Sequence, residues 1–373
     1  MASAKVPFIP DNTNGSVTKL DMRIGGLLAE PATGADEPYA PVFPVGFYTS
    51  FGGFLADNLT APRRNQSRRG TPSYTTSRHS TISPPSTPYA HAGARALPHV
   101  RDALDVHEPH WRHGWGEPDQ EQTEPYTGDE SDGWEDPLNA TQLAYVTIYG
   151  LDSGCHPVSL VLSCQDSYFT EYSAGADIVM QDMGTVCTPD YGDCGCDNCK
   201  GAFEDISDWM TSTLASRSWA ANSLSPSGLV PQAFGNDTYW KRYPTGAEYT
   251  VSAALTINHG VVAWGQPAPD DLLAAASALA AALEPAKAFI LSPEAEYAQS
   301  PTDRVDVASW TVGSRALLLV TNLNYEAKTV PIPAALRAAA RAGLKQVLDT
   351  GAKIVGENIV LESVGTGAFI LGR

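Results

Sequence analysis

Several apolar runs in this chain end abruptly in carboxylates, amides or aromatics, and those ends are where its chemistry is expected. They read Gly128-Asp129-Glu130, Cys164-Gln165-Asp166, Gln181-Asp182, Gln232-Ala233-Phe234 and Trp264-Gly265-Gln266. The set contains no serine nucleophile motif. It matches what glycosidic bond cleavage needs: two carboxyl groups across a bond, with aromatic platforms for sugar rings. Glu130 stands beside Gly128 and Trp134, although nine acids between Glu117 and Asp136 also allow a solvated loop acid. Asp182 is a single acid closing an apolar run, which sets it apart from a surface charge. Asp129 either orients Glu130 or acts itself. Trp134, Trp240 and Trp264 are candidates for stacking on sugars, with core packing as the plain alternative. His259 reads as structural, and the six histidines at 79–113 are not taken as metal ligands.

These ends need strands to carry them. Pro41–Tyr48 reads as a buried strand running into Gly52-Gly53. Further apolar strands are expected at 156–163, 176–182, 228–234 and 260–264, with helices at 139–149, 168–172, 201–213, 247–258 and 269–283. Apolar strands alternating with helices imply a parallel sheet covered on both faces. After Pro285 the pattern switches to short strands at 288–292, 304–312, 316–321, 328–333, 344–348, 358–362 and 366–371, with a short helix at 334–342. That is read as a separate β-sandwich.

The strand count decides the architecture. Tyr126 ends a strand, four follow it and one lies at 41–48. The intervening stretch of about 75 residues has room for two βα units of roughly 30 residues each. Filling it gives eight strands, so the fold class is α/β: a (β/α)8 TIM-type barrel with its second and third units scrambled, followed by a C-terminal β-sandwich. In such a barrel the strand ends form the active site. A doubly wound sheet is the alternative, but no G-x-G-x-x-G follows the first strand and no P-loop occurs. The expected divisions are a polar segment at 1–38, with a strand expected around Leu20–Leu28, that carries no core by itself, a barrel at 39–284 with an aberrant or disordered stretch at 63–124, and the sandwich at 285–373.

The aberrant stretch is chemically foreign. Residues 63–116 hold eight of the 16 arginines and six of the eight histidines, but no lysine. No helical or strand period is found there. A disordered basic insert is one reading; out-of-frame translation is the favoured one. Ser212–Ser227 carries a milder version of the same suspicion.

Whole-chain properties exclude several classes. With a net charge of −18 over 373 residues, nucleic acid is not expected as a partner. No membrane-spanning run of ~18–20 apolar residues is expected. No cofactor and no metal are expected, and the chain is expected to be a monomer. Cys187, Cys194, Cys196 and Cys199 form C-x6-C-x-C-x2-C. Two short disulfides are the leading reading and a zinc knuckle the alternative. Cys155 and Cys164 are left unassigned. The sequons at Asn14, Asn58, Asn65, Asn139 and Asn236, with the even cysteine count, point to an oxidising compartment. Against that, nothing near Met1 reads as a signal peptide.

A resemblance adds to this. Pro44-Val-Gly-Phe-Tyr48 resembles the first barrel strand of many glycoside hydrolases, and Tyr126-Thr-Gly-Asp-Glu130 resembles the fourth-strand motif of clan-A-type glycosidases. Asp177–Asp182, Val230–Gly235 and His259–Trp264, followed by a sandwich, are similar to secreted fungal proteins with a glycosidase-like barrel. The resemblance covers about 40–61 and 126–373. It implies Glu130 as general acid/base and an oligo- or polysaccharide substrate. Two departures stand out. The clan places its nucleophilic Glu on strand seven, where this chain has Gln232, and Ser131 replaces the Pro that follows the acid pair. Asp182 is the second carboxylate by position, not by family motif. Substrate contacts are expected from Tyr48, Asp166, Gln232, Trp264 and Trp134. The rivals are a non-catalytic glycan-binding barrel and a defective, frameshifted product.

Overall fold

The computed structural model describes residues 17–21, 26–29, 39–43, 45–48, 75–76, 138–152, 154, 156–162, 168–183, 202–204, 206–207, 227–236, 240–255, 257, 261–263 and 268–373. Strands β1 (Thr18–Asp21), β2 (Gly26–Ala29) and β3 (Ala40–Val42) form a small antiparallel sheet. Where one strand was expected near Leu20–Leu28, the chain reverses between Asp21 and Gly26 and pairs with itself.

The parallel sheet contains β4 (Val45–Tyr48), β5 (Thr75–Thr76), β6 (Ser159–Leu162), β7 (Ile178–Met183), β8 (Ser227–Pro231) and β9 (Val261–Ala263). Their spatial order is β5-β4-β9-β8-β7-β6. Strands β6 to β9 run in sequence, and β4 then lies beside β9. The early strand β4 and the late strand β9 thus lie side by side. Among the described residues β5 and β6 are the two edges, and no pairing joins them. β5 lies within the stretch where no strand period could be read; it pairs in parallel with the end of β4.

Strand alternation explains how the sheet is covered. Ile178 and Met180 of β7 and Val230 of β8 pack with Leu27, Leu20 and Val42 of the small sheet. The N-terminal segment thus adds to a core that it shares with the parallel sheet. On the opposite face Leu162 and Val179 pack with Phe169 and Tyr172 of α2 (Phe169–Ser173). Helix α1 (Ala140–Asp152) ties into the same region. Its Thr141 donates to the Tyr172 carbonyl at 2.7 Å, and Tyr145 and Tyr149 each donate to the Asp177 carboxylate at 3.0 Å. Helix α3 (Gly246–Ala254) joins β8 to β9 in sequence.

Helix α4 (Asp270–Ile290) starts with Asp270 and Asp271 at its positive end, as expected. It does not stop at 283. It passes through Pro285 and takes in most of the segment expected as a strand at 288–292. Pro285 costs one helical hydrogen bond. The apolar stripe nevertheless continues at helical spacing through Leu279, Leu283, Ala286 and Phe289, all buried, and tertiary packing outweighs the local break. The helix is also long and apolar enough to cross a membrane by composition, which the reading of the sequence missed. Its stripe instead packs on Trp310, Leu317, Leu319 and Ile370.

Those residues belong to a five-stranded antiparallel sheet, order β10-β11-β12-β17-β14, built from β10 (Glu296–Gln299), β11 (Val305–Val312), β12 (Arg315–Asn322), β14 (Leu344–Asp349) and β17 (Thr366–Leu371). The alternate residues Val305, Val307, Leu318, Val320 and Phe369 face the second sheet, β13 (Lys328–Pro331), β16 (Asn358–Leu361) and β15 (Ala352–Val355). The central strands read as unbroken apolar runs because both of their faces are covered. A 3-10 turn at Ala334–Leu336 and helix α5 (Arg337–Ala342) bridge β13 and β14. The sequence reading missed β10, whose four residues are all exposed and carry no burial pattern, and β15, which pairs with β16.

Candidate functional site

The carboxyl ends of β7 and β8 lie side by side, with Asp182 paired to Val230 and Met183 to Pro231. Alternation puts position 182 in the row of Ile178 and Met180, and Gln232 in the row of Val230. The structure thus brings two of the expected site positions onto neighbouring strand ends. Tyr48 ends β4, which is separated from β8 by β9. Glu130, Asp129, Asp166, Trp134 and Trp264 lie outside the described residues, as do Cys187, Cys194, Cys196 and Cys199.

Beyond β8 the chain builds a tight loop. Gln232 is buried, and its amide donates to the Phe234 carbonyl at 2.9 Å. Phe234 meets Trp240 edge to face at 4.8 Å, and both are buried. Trp240 therefore takes the core role weighed for it. Gly235 presses on the Arg242 backbone, where a Cβ would come within 2.3 Å of the carbonyl. No residue with a side chain fits there without moving one arm of the loop. Asn236 follows with a left-handed φ of 62°, a conformation asparagine tolerates better than most residues.

Glu248 in the first turn of α3 closes the loop. Thr245 and Glu248 form a capping box: the Thr245 N–H donates to Glu248 Oε2 at 2.7 Å, and the Glu248 N–H donates to Thr245 Oγ1 at 3.3 Å. Arg242 adds a two-pronged pair, Nη1 to Oε2 and Nη2 to Oε1, each at 2.7 Å. Tyr325, from the segment after β12, donates to Oε1 at 2.6 Å. Burial would raise the Glu248 carboxyl, but the hydrogen bonds from Arg242, the Thr245 backbone and Tyr325 outweigh it and bring it down to about 2. The Tyr325 hydroxyl is pushed up to about 12, first by burial and then by its bond to Glu248. Beside this group Arg304 pairs with Glu204, and Phe203, Ile206 and Val251 pack with Leu323 and Val364 of the C-terminal unit.

The sequence reading missed this cluster. Thr245-x-x-Glu248 carried a usable signal as a capping box ahead of a helix. Nothing local marks Tyr325 as a partner 77 residues away. As a chemical group, a fully ionised Glu248 held by four donors is a structural anion, not a proton donor. Among the described residues, no group of three or more His, Cys, Asp or Glu side chains is placed to hold a metal ion.

No protein-family model matches this chain. No curated protein matches it. Solved structures do. An Anoxybacillus α-amylase is 10% identical, with 64% of this chain covering 57% of that one at a TM-score of 0.42. A putative α-galactosidase from Bacteroides fragilis is 14% identical, with 65% of this chain covering 53% of that one at a TM-score of 0.42. α-Galactosidase I from Mortierella vinacea is 10% identical, with 63% of this chain covering 62% of that one at a TM-score of 0.39. These are glycoside hydrolases, and this chain spans less than two thirds of the length of each.

Proposed function

We propose that this protein is a carbohydrate-active hydrolase that cleaves glycosidic bonds at the carboxyl ends of its parallel strands. The observation that carries the reading is the place of Asp182, the penultimate residue of β7, paired to Val230 one residue before the end of β8, which leads into Gln232. In this reading the parallel strands belong to a (β/α)8 barrel, whose chemistry sits at that end of the sheet. Glu130 is the general acid/base, with Asp129 orienting it. Asp182 is the nucleophile or the base that activates water. A carboxyl separation of ~5–5.5 Å would give retention, and ~6.5–9.5 Å inversion. Tyr48, Asp166, Gln232, Trp134 and Trp264 contact the sugar. The cysteines and sequons place the protein in a secretory compartment in the same reading.

Gln232 favours a second reading. A neutral amide tied to the Phe234 carbonyl stands where the resemblance leads one to expect a carboxylate. A barrel with one carboxylate short would bind glycans without cleaving them. The two readings separate in one experiment. A panel of aryl glycosides is offered to the full chain and to Glu130→Gln. Hydrolysis that disappears in the variant while glycan binding persists supports the enzyme. Binding without hydrolysis in both supports the glycan-binding barrel. Hydrolysis undiminished in the variant removes Glu130 from the mechanism.

A further inference from the structure

The loop after β8 is held from outside the parallel sheet. Its inner arm begins at Gln232, which donates to the Phe234 carbonyl, and Gly235 packs on the Arg242 backbone. Arg242 is gripped by Glu248, and the outermost donor to Glu248 is Tyr325 of the C-terminal unit. We infer that Tyr325 is a positioning residue for the strand-end site: through Glu248 and Arg242 it fixes the loop that carries Gln232, so the C-terminal unit is part of the site's construction. This rests on the reading of the parallel-strand ends as the site.

Tyr325 can do this because its own segment is rigidly held. Asn322 is wholly buried, and its amide donates to the Glu326 carbonyl at 2.8 Å and the Glu362 carbonyl at 2.7 Å. Asn322 Oδ1 accepts from the Asn324 backbone N–H at 3.0 Å. Asn324 in turn donates to the carbonyls of Asp303 and Arg304, each at 3.1 Å, where two successive residues adopt left-handed φ values of 51° and 55°. Two buried asparagines just before Tyr325 thus brace its segment, one of them reaching past it to Glu326, and its ring lies 6.2 Å from that of Phe203. A hydroxyl presented this way loses little freedom when it binds the carboxylate, and a bond to a charged acceptor is one of the stronger kinds. Gln232, Arg242 and Glu248 share one polypeptide segment, whereas Tyr325 reaches them from a separate sheet unit.

Hydrogen exchange on the intact chain tests this without reference to activity. Tyr325→Phe keeps the ring and removes the donor. Arg304→Gln serves as the comparison, because Arg304 joins the same two regions through Glu204 and makes no bond to Glu248. Tyr325→Phe is expected to speed amide exchange across 232–245 by about tenfold, with β11 and β12 unchanged. Arg304→Gln is expected to leave 232–245 as it was. An unchanged loop in Tyr325→Phe, equal loosening by both variants, or a rise spread over β11 and β12 as well, each overturns the inference. Failure to hydrolyse any glycoside would count against the proposed function and leave this result standing.

Discussion

The two large sheets are held together in different ways. In the antiparallel sheet, β11 and β12 pair over eight positions and β12 and β17 over six. In the parallel sheet, among the described residues, β7 and β8 pair over five positions, β6 and β7 over four and β4 and β9 over three, and β8 meets β9 at Leu229 and Val261. In the antiparallel sheet β10, β11 and β12 follow one another through short connections, and β17 returns from the end of the chain to pair with β12. Each parallel pairing requires a crossover, and its contacts are distant in sequence. The proposed chemistry belongs to the parallel sheet, and the largest buried core lies against the antiparallel one. In the proposed reading, the site and the largest core lie in different parts of one chain, joined at the Glu248 cluster.

Substitutions sharpen this contrast in order of size. Phe369 is fully buried between the two C-terminal sheets. Phe369→Ala is expected to cost ~3–5 kcal/mol in denaturant unfolding. A cost below that of an exposed substitution would break the claim that this core dominates.

Glu248→Gln is next, at about 3 kcal/mol near neutral pH. Its carboxyl is lowered from an ordinary 4.5 to about 2. A lowered carboxyl stabilises the fold above its unfolded value and loses that contribution as pH falls through its folded one. The gap between wild type and variant should thus be full above pH ~5 and shrink toward pH ~2, read by unfolding midpoints across pH. A gap that widens on acidification would mean that the Glu248 group is not held ionised.

Gly235→Ala inserts a methyl group against the Arg242 backbone and is expected to cost ~1–3 kcal/mol, confined to 232–245 in exchange measurements. The smallest effect belongs to Lys287→Ala, which removes an exposed pair with Glu284 at 3.0 Å. It should shift stability by less than ~0.5 kcal/mol.

The same contrast decides what the sequence disclosed. Strands β11, β12 and β17 are apolar, continuous and bounded by turns, and they were legible within a residue or two. The α4 boundary was misplaced because Pro285 reads as a stop while the stripe that overrides it depends on a sheet formed later in the chain. β10 escaped because an exposed edge strand has no apolar alternation. In the parallel sheet, β7 and β8 were legible as apolar runs, and their register pairs Asp182 with Val230. The Glu248 cluster was not legible as a whole. Its capping box is local, but its last donor, Tyr325, comes from a unit whose docking no local pattern reveals.

The central claim is that Asp182 does chemistry at the strand ends. Its most direct test is the turnover of an activated aryl glycoside by the full chain and by Asp182→Asn, with glycan binding measured in parallel. The account predicts that kcat falls by about a thousandfold or more while binding is retained, because a carboxylate needed in the transition state has been replaced by an isosteric amide. Turnover at the wild-type rate in Asp182→Asn would contradict it.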